Sequence, residues 1–147
     1  RVLFRSEIVT LADELEHVNA YLQIEKARFQ SRLQVQLHVP DALSHLHLPA
    51  FTLQPIVENA IKHGTSQLLG VGEITINASQ DGDHLVLDIE DNAGLYQPKT
   101  DASGLGMSLV DKRLRARFGD ECGISVACEP DIFTRITLRL PLEESAC

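Results

Sequence analysis

The sequence predicts an α+β fold in which about three helices pack on one face of a mixed, mostly antiparallel sheet of about five strands. Three segments repeat apolar residues at helical spacing, and about five segments alternate apolar and polar residues, as half-buried strands do. The chain has 147 residues, 44% of them hydrophobic, which suffices for one core and not for two ordinary domains. We therefore expect a single two-layer sandwich over residues 1–147, with a leading helix within 1–30 and the sandwich core in 31–147.

The leading helix is predicted from Leu11 to Gln30. Apolar side chains recur there at helical intervals, and the segment contains neither Gly nor Pro. Thr10 stands three residues before Asp13, which is the spacing of a capping box and marks a helix start.

Two extended segments and a second helix follow. Residues 33–39 alternate apolar and polar side chains, and a short extended piece is expected around His45–Leu48. Next comes a helix with Pro55 in its first turn and Gly64 as its C-terminal stop. Its apolar stripe consists of Leu53, Ile56, Val57, Ala60 and Ile61.

The second half of the chain predicts two hairpins around a third helix. Residues 74–78 and 85–89 alternate on either side of a turn at Asp81-Gly82, and two strands near the C-terminus form the closing hairpin. Between the hairpins, the stretch from Asp91 to about Ser103 has no periodicity and is predicted to be a mobile loop, which ends at Gly104-Leu-Gly106. A helix beginning at Met107 follows it and stops at Gly119.

Charge and composition exclude several classes of partner. The net charge of −8 disfavours nucleic acid, and no apolar stretch approaches the roughly 20 residues of a membrane span. Because the chain begins at Arg1 and enters a helix at once, we expect a segment of a longer protein, with any membrane part upstream. Cys122, Cys128 and Cys147 form no C-x-x-C pair and fit a reducing compartment.

The polar arc of the second helix is the first candidate site. Glu58, Asn59, Lys62 and His63 remain once the apolar stripe faces the core. These residues form either an ordinary solvated helix face or a site for phosphate and Mg²⁺. In the second case Asn offers a hard neutral oxygen to Mg²⁺, and Lys offers a positive charge to phosphate.

Asp91 is the second candidate. It has the same parity as Leu85, Leu87 and Ile89, so its carboxylate points toward the core if the strand stays regular. Either the strand has ended and the carboxylate caps local backbone amides, or a ligand donor such as an adenine amine completes a buried site.

The third candidate is the stretch from Ser103 to Gly106, at the opening of the third helix. Helix N-termini expose unpaired amides, and glycines allow a phosphate to approach them closely. On its own, this pattern also fits simple backbone geometry.

Together these parts resemble the three nucleotide boxes of a sensor histidine kinase catalytic domain, of the LytS/YehU-type branch. This branch lies within the superfamily of gyrase, heat-shock chaperone and MutL ATPases. The resemblance rests on residues 53–64 (LQPIVENAIKHG), 91–94 (DNAG) and 104–114 (GLGMSLVDKRL), and extends to 11–29 (LADELEHVNAYLQIEKARF). It implies a Bergerat-type sandwich that binds ATP with Mg²⁺.

The resemblance also implies roles for single residues. Asn59 would ligate Mg²⁺, Asp91 would bind the adenine amine, and Glu58 would position or activate the attacking group. Lys62 and His63 would lie near the phosphates. The lid, residues 92–106, and the turn after it would contact the nucleotide through Gly94, Gly104, Leu105, Gly106 and Met107.

Three positions depart from the family pattern. The second box usually reads D-N-G-x-G, whereas this chain has Ala93 and Leu95 at the two outer glycine positions. The third box commonly has Asn where this chain has Leu109.

The resemblance therefore implies a histidine protein kinase domain that donates the ATP γ-phosphate to a histidine on an upstream dimerisation segment. The expected partners are that segment and a response regulator, and the full-length protein is expected to be a homodimer in the inner membrane with this domain in the cytoplasm. His17 and the His45/His47 pair lack the context of an acceptor or a metal site. The alternatives are a non-catalytic nucleotide-binding or docking module and, less favoured, a stand-alone ATPase.

Overall fold

The computed structural model describes residues 7–97 and 102–142, with backbone alone for 102–105. In this part of the chain, three helices are present as predicted: α1 (Leu11–Phe29), α2 (Gln54–Lys62) and α3 (Ala102–Phe118). None of the described helices is long and apolar enough to cross a membrane.

The start of α1 follows the predicted capping box. The Thr10 hydroxyl accepts a hydrogen bond from the Asp13 amide at 3.1 Å, and the Thr10 amide donates to the Asp13 carboxylate at 3.4 Å. These bonds satisfy amides that the first helical turn leaves without partners.

The strands form the expected sheet and one additional pair. They are β1 (Ile8–Thr10), β2 (Leu33–His38), β3 (His47–Pro49), β4 (Gly72–Asp81), β5 (His84–Asp91), β6 (Gly123–Glu129) and β7 (Phe133–Pro141). Five of them form a sheet in the order β2-β4-β5-β7-β6, in which only the β2–β4 pair is parallel. The predicted mixed, mostly antiparallel sheet is therefore confirmed. The short antiparallel pair of β1 and β3 lies outside this sheet, and the sequence did not predict β1.

The helices and one face of the sheet enclose the core, as predicted. Alternate residues of β4, β5 and β7 are buried with the apolar stripe of α2. The opposite face carries polar pairs between strands, such as Arg135 with Glu90 at 2.9 Å and Thr137 with Asp88 at 2.6 Å. That face is accordingly the wetter one.

The start of α3 differs from the prediction. The helix begins at Ala102, five residues before Met107, so Gly104 and Gly106 lie inside its first turns rather than in a loop before it. The end of the predicted loop, Ala102 and Ser103, is thus helical, as is the stretch 104–106 that was expected to precede the helix. Residues 98–101 lie outside the described residues. The two glycines interrupt the apolar pattern, so periodicity alone places the start too late.

Gly64 follows the end of α2 as predicted, but for a different reason. Its φ of −124° is not left-handed, so a turn conformation does not require glycine there. Instead, a Cβ at this position would lie 2.3 Å from the carbonyl oxygen of Ala60. Close packing therefore excludes a side chain at residue 64.

Gly82 and Gly94 both have left-handed backbone, with φ of +59° and +64°. Gly82 sits in the β4–β5 turn with open space around it, whereas a Cβ on Gly94 would lie 2.5 Å from the Glu129 carbonyl oxygen and the Ile132 nitrogen. The Asp131 amide also donates to the Gly94 carbonyl at 3.0 Å. Gly94 thus holds the chain after β5 against the β6–β7 turn.

This pair of glycines gives a matched test. Gly82→Ala should lower the free energy of unfolding by about 1 kcal/mol, the cost of a left-handed Ala. Gly94→Ala should cost clearly more, because the backbone of the β6–β7 turn must also move. Urea unfolding of both variants checks this expectation, and equal losses would contradict the close approach at Gly94.

Candidate functional site

A cavity opens between α2, the end of β5 and α3, at one edge of the sandwich. It brings together residues that are far apart in the sequence. Its wall includes Asn59, His63, Asp91, Tyr96, Met107 and Thr134. Four of these were predicted site residues, and two were not.

Asn59 reaches the cavity from α2 because its helix buries the apolar stripe against the sheet and leaves residue 59 on the free arc. Its side-chain nitrogen lies 3.5 Å from the sulfur of Met107 on α3 and donates to it. This contact does not use the carbonyl oxygen of the amide. The two helices therefore meet at the residue predicted to bind Mg²⁺.

Asp91 caps local backbone amides, as one of the two interpretations predicted, and it is also buried on the core side. The strand ends here, and Asp91 Oδ1 accepts hydrogen bonds from the amides of Ala93 at 2.8 Å and Gly94 at 3.3 Å. Yet the residue is only 5% exposed, and its side chain faces the core side as the parity predicted. The second oxygen, Oδ2, lies beside Gly64, where a Cβ would come within 3.1 Å of it.

Burial raises the pKa of the Asp91 carboxyl above its ordinary value of 3.8. The bonds from Ala93 and Gly94 lower the pKa, and the nearby Glu90 carboxylate raises it, but burial is the largest effect. A buried carboxylate oxygen beside a cavity is a strong acceptor for a ligand that donates hydrogen bonds.

Thr134 and Tyr96 are the site residues that sequence reasoning missed. Thr134 is buried and pairs with Asp91 across β5 and β7. It has the parity of the core residues Ile136 and Leu138, so the argument used for Asp91 would have found it. Tyr96 packs against the core from the segment after β5, and its aromatic ring in a polar stretch was the available signal.

His63 borders this cavity and a second one beside it. The second cavity is also lined by Gly94, Tyr96 and Asp131. His63 is exposed at the end of α2, so its ring is accessible from both cavities. The site is thus a continuous cleft that runs from Met107 toward the β6–β7 turn.

Glu58 does not line either cavity. Its carboxylate accepts a hydrogen bond from Gln54 at 3.0 Å, and its charge acts on Tyr21 of α1. Burial raises the pKa of the Tyr21 phenol, and the carboxylates of Glu25 and Glu58 raise it further. Glu58 therefore lies on the α1 side of α2, away from Asn59's cavity.

The remaining predicted residues lie at the margin of the described site. Lys62 is exposed on α2 and does not line either cavity, and Gly106 is exposed on α3 beside Pro55. The side chain of Leu105, like the surroundings of Gly104, falls outside the description. Asn92 binds the start of β4, where it accepts from the Glu73 amide at 2.8 Å and donates to the Val71 carbonyl at 3.0 Å.

The cleft contains few groups that could bind a metal by themselves. Among the described residues, no three His, Cys, Asp or Glu side chains are grouped to hold an ion. Asn59 offers one neutral oxygen on the wall that Asp91 and His63 share. This donor set fits a cation that takes most of its ligands from a bound phosphate and from water.

Residues 48–144 match the family described as histidine kinase-, DNA gyrase B- and HSP90-like ATPases. The chain belongs to this ATPase family. Residues 1–33 match a second family, described as histidine kinase. The boundary between the two matches falls between α1 and α2, so the cleft lies wholly within the ATPase family match.

Among known proteins, this ATPase-family chain is similar to sensor histidine kinases. It is 75% identical to the sensor histidine kinase BtsS of Escherichia coli K12 and 30% identical to the sensor histidine kinase YesM of Bacillus subtilis. The matches cover 96% and 93% of the chain, but only 25% and 24% of those proteins. The chain thus spans about a quarter of the length of these relatives. The predicted LytS/YehU-type resemblance is confirmed, and the sensor protein LytS of Bacillus subtilis is also similar, at 25% identity.

Solved structures confirm the predicted fold. The histidine kinase AdeS of Acinetobacter baumannii superposes with a TM-score of 0.68 at 16% identity, covering 92% of this chain and 66% of that one. The catalytic domain of the histidine kinase ThkA gives 0.64 at 12% identity, covering 92% and 95%. At these identities the likeness concerns the fold alone.

Asp91 generates a prediction on stability and pH. Because its folded pKa lies above 3.8, the folded chain binds more protons than the unfolded chain just above that pH. The stability of the nucleotide-free protein should therefore decline as pH rises through the folded pKa. Asp91→Asn, which remains neutral, should lack this part of the decline.

Urea unfolding at a series of pH values from 4 to 8 measures the effect. The free energy of unfolding of Asp91→Asn should increase relative to the parent chain as pH rises. Asp88→Asn, on the same strand but the opposite sheet face, corrects for the loss of any carboxylate. A difference that does not vary with pH would contradict the buried-carboxylate assignment.

Proposed function

We propose that this chain is the catalytic domain of a sensor histidine kinase, which binds ATP with Mg²⁺ and donates the γ-phosphate to a histidine upstream. In this transfer the bond between the γ-phosphorus and the bridging oxygen breaks, a bond to an imidazole nitrogen forms, and ADP leaves. The supporting observation is that Asp91, a buried carboxylate, shares a cleft with the amide of Asn59.

Asp91 is proposed to recognise the adenine. One of its oxygens is already used by the amides of Ala93 and Gly94, and the other lies beside Gly64. The exocyclic amine of adenine would donate a hydrogen bond to a buried carboxylate oxygen. Such a bond is strong because the oxygen is shielded from water. The missing side chain at residue 64 leaves room beside it.

The phosphate end is proposed to lie toward Asn59, His63 and Lys62. Asn59 would offer its carbonyl oxygen to the metal, while His63 and Lys62 would meet phosphate charge from the exposed end of α2. Bound Mg²⁺ would neutralise charge on the phosphate oxygens during transfer. Glu58 is proposed to position or activate the attacking group. It would do so from the α1 side of α2.

We further propose that residues 1–147 form one domain, in which residues 92–106 are a lid over the nucleotide. Within that lid and the turn after it, Gly94, Gly104, Leu105, Gly106 and Met107 are assigned to nucleotide contact. Of these, Met107 and Gly94 line the two described cavities. Gly94 would act by fixing the chain against the β6–β7 turn.

A second candidate is a docking module that has lost productive ATP binding. The observation that favours it is Ala93, which is 1% exposed and stands two residues after Asp91, where the family usually has glycine. The chain therefore carries a buried methyl group at a residue whose amide donates to the Asp91 carboxylate. A nucleotide titration separates the two functions.

The partners are proposed from the relatives. They are an upstream dimerisation and phosphoacceptor segment, and a response regulator. A longer protein of this kind would be a homodimer in the inner membrane, with this domain in the cytoplasm.

Calorimetric titration of ATP with Mg²⁺ into the chain tests the proposal. We expect a Kd between about 1 μM and 1 mM, or about −8 to −4 kcal/mol. Asp91→Asn should weaken binding about tenfold or more, because it turns an acceptor of a buried hydrogen bond into an amide. Asp88→Asn is the matched control and should bind as the parent does. No heat at millimolar ATP would favour the docking module, and equal affinities would leave Asp91 as a turn cap only.

Radiolabelled ATP tests the transfer. The 147-residue chain alone should not label itself, whereas a chain extended by the upstream acceptor segment should acquire an acid-labile phosphate. Asn59→Ala in the extended chain should abolish labelling and leave the fold intact, since Asn59 lies off the buried stripe and Ala favours helix. Strong labelling of the short chain would point to its own histidines, and unchanged labelling of the Asn59 variant would remove its metal role.

A further inference from the structure

The N-terminus of α2 lacks a cap of its own. Its N-cap residue is Leu53, whose side chain cannot accept a hydrogen bond. Instead, Glu14 on α1, 39 residues before Leu53, binds the backbone that leads into the helix. The two oxygens of the Glu14 carboxylate accept hydrogen bonds from the amides of Phe51 at 3.1 Å and Leu53 at 2.9 Å. Glu14 is only 2% exposed, so these bonds are shielded from water.

Arg113 of α3 reaches the same point from the other side. Its guanidinium donates to the Thr52 hydroxyl at 3.0 Å, and that hydroxyl donates to the Pro49 carbonyl at 2.6 Å. Burial lowers the pKa of the Arg113 guanidinium, while the Glu14 carboxylate raises it, so the two charges act on each other. Three helices are thus joined at residues 51–53.

This junction lies at one end of a short helix whose other half carries the site. Asn59 follows Leu53 by six residues, or about 9 Å along the helix axis. Asn59 in turn contacts Met107 on α3. A tilt of α2 at its N-terminus therefore changes the distance between Asn59 and Met107, because a nine-residue helix moves as a rigid rod.

We propose that Glu14 and Arg113 are positioning residues of the nucleotide site, which fix the start of α2 between α1 and α3 and so let α1 set the place of Asn59. The inference rests on the proposed ATP site. The Glu14 bonds connect the segment matched by the histidine kinase family, residues 1–33, with the ATPase family match from residue 48. A displacement of α1 would reach the cleft through them.

The single methionine of the chain makes a direct probe. With ¹³C-methyl methionine labelling, Met107 gives one NMR signal that reports the contact between α2 and α3 at the site. In the absence of nucleotide, Glu14→Gln should shift this signal, because the near-isosteric amide places an NH₂ group against one of the two backbone amides. Arg113→Gln should also shift it. Glu16→Gln and Lys112→Gln, at exposed neighbouring positions on the same helices, should leave it in place.

Nucleotide affinity is the second readout. Glu14→Gln and Arg113→Gln should each weaken ATP binding about tenfold, and the double variant should lose no more than the stronger single one, since both act through one junction. Arg113→Lys keeps the positive charge but lacks the planar guanidinium with its several N–H donors. It should therefore bind ATP more tightly than Arg113→Gln and less tightly than the parent chain.

The outcomes separate this inference from the proposed function. A lower melting temperature with an unmoved Met107 signal, or with unchanged affinity, would make Glu14 a structural brace and overturn the inference. If the parent chain does not bind ATP, the proposed function fails. The Met107 shift measured without nucleotide then decides the inference by itself.

Discussion

A carboxylate buried at the end of a central strand constrains the rest of this structure. Asp91 belongs to β5, the middle strand of the sheet, and its side chain points to the helix side. Burying an apolar side chain there would cost less free energy than burying a carboxylate. Its surroundings are arranged around that charge. The backbone amides of Ala93 and Gly94 donate to one oxygen, and Gly64 leaves the space beside the other oxygen free of a side chain. The backbone of Thr134, across the β5–β7 pair, also lowers the pKa of this carboxyl. The adenine amine proposed above would supply a further donor and so compensate part of the cost of burying this group.

The second helix connects stability with the proposed chemistry. One side of α2 supplies the apolar stripe that closes the core, and the other supplies Asn59 to the cleft. With nine residues, such a helix would be marginal alone, so tertiary contacts must hold it. The Glu14 carboxylate at its start and the sulfur of Met107 near Asn59 hold it from two directions. The orientation of the site residues is thus set by neighbouring helices rather than by α2 itself.

Much of the fold could be predicted because periodicity records which side of an element is buried. The same parity that predicted the strands placed Asp91 on the core side, and the helical stripe placed Asn59 on the free arc. Periodicity does not determine the direction in which a polar side chain on the free arc points. The separation of Glu58 from the cleft was therefore not predicted. Contacts across 39 residues, such as the hydrogen bond from the Leu53 amide to Glu14, leave no local pattern. The two glycines in the first turns of α3 obscured the start of that helix in the sequence. Gly64 is required by its close approach to the Ala60 carbonyl oxygen, which the sequence does not reveal.

The parallel pairing of β2 with β4 has a consequence for how the chain folds. The hairpins β4–β5 and β6–β7 close through turns of two or three residues, so little loop entropy opposes them. The edge strand β2 must instead find β4 across 39 residues, since Leu33 pairs with Gly72. The β5–β7 pair that joins the two hairpins spans still more of the chain, since Asp91 pairs with Thr134, 43 residues later. Pairings of such long range form late, because the chain must close a long loop before the contacts form. The two hairpins are then the early units of the sheet, and two long-range pairings, β5 with β7 and β2 with β4, complete it.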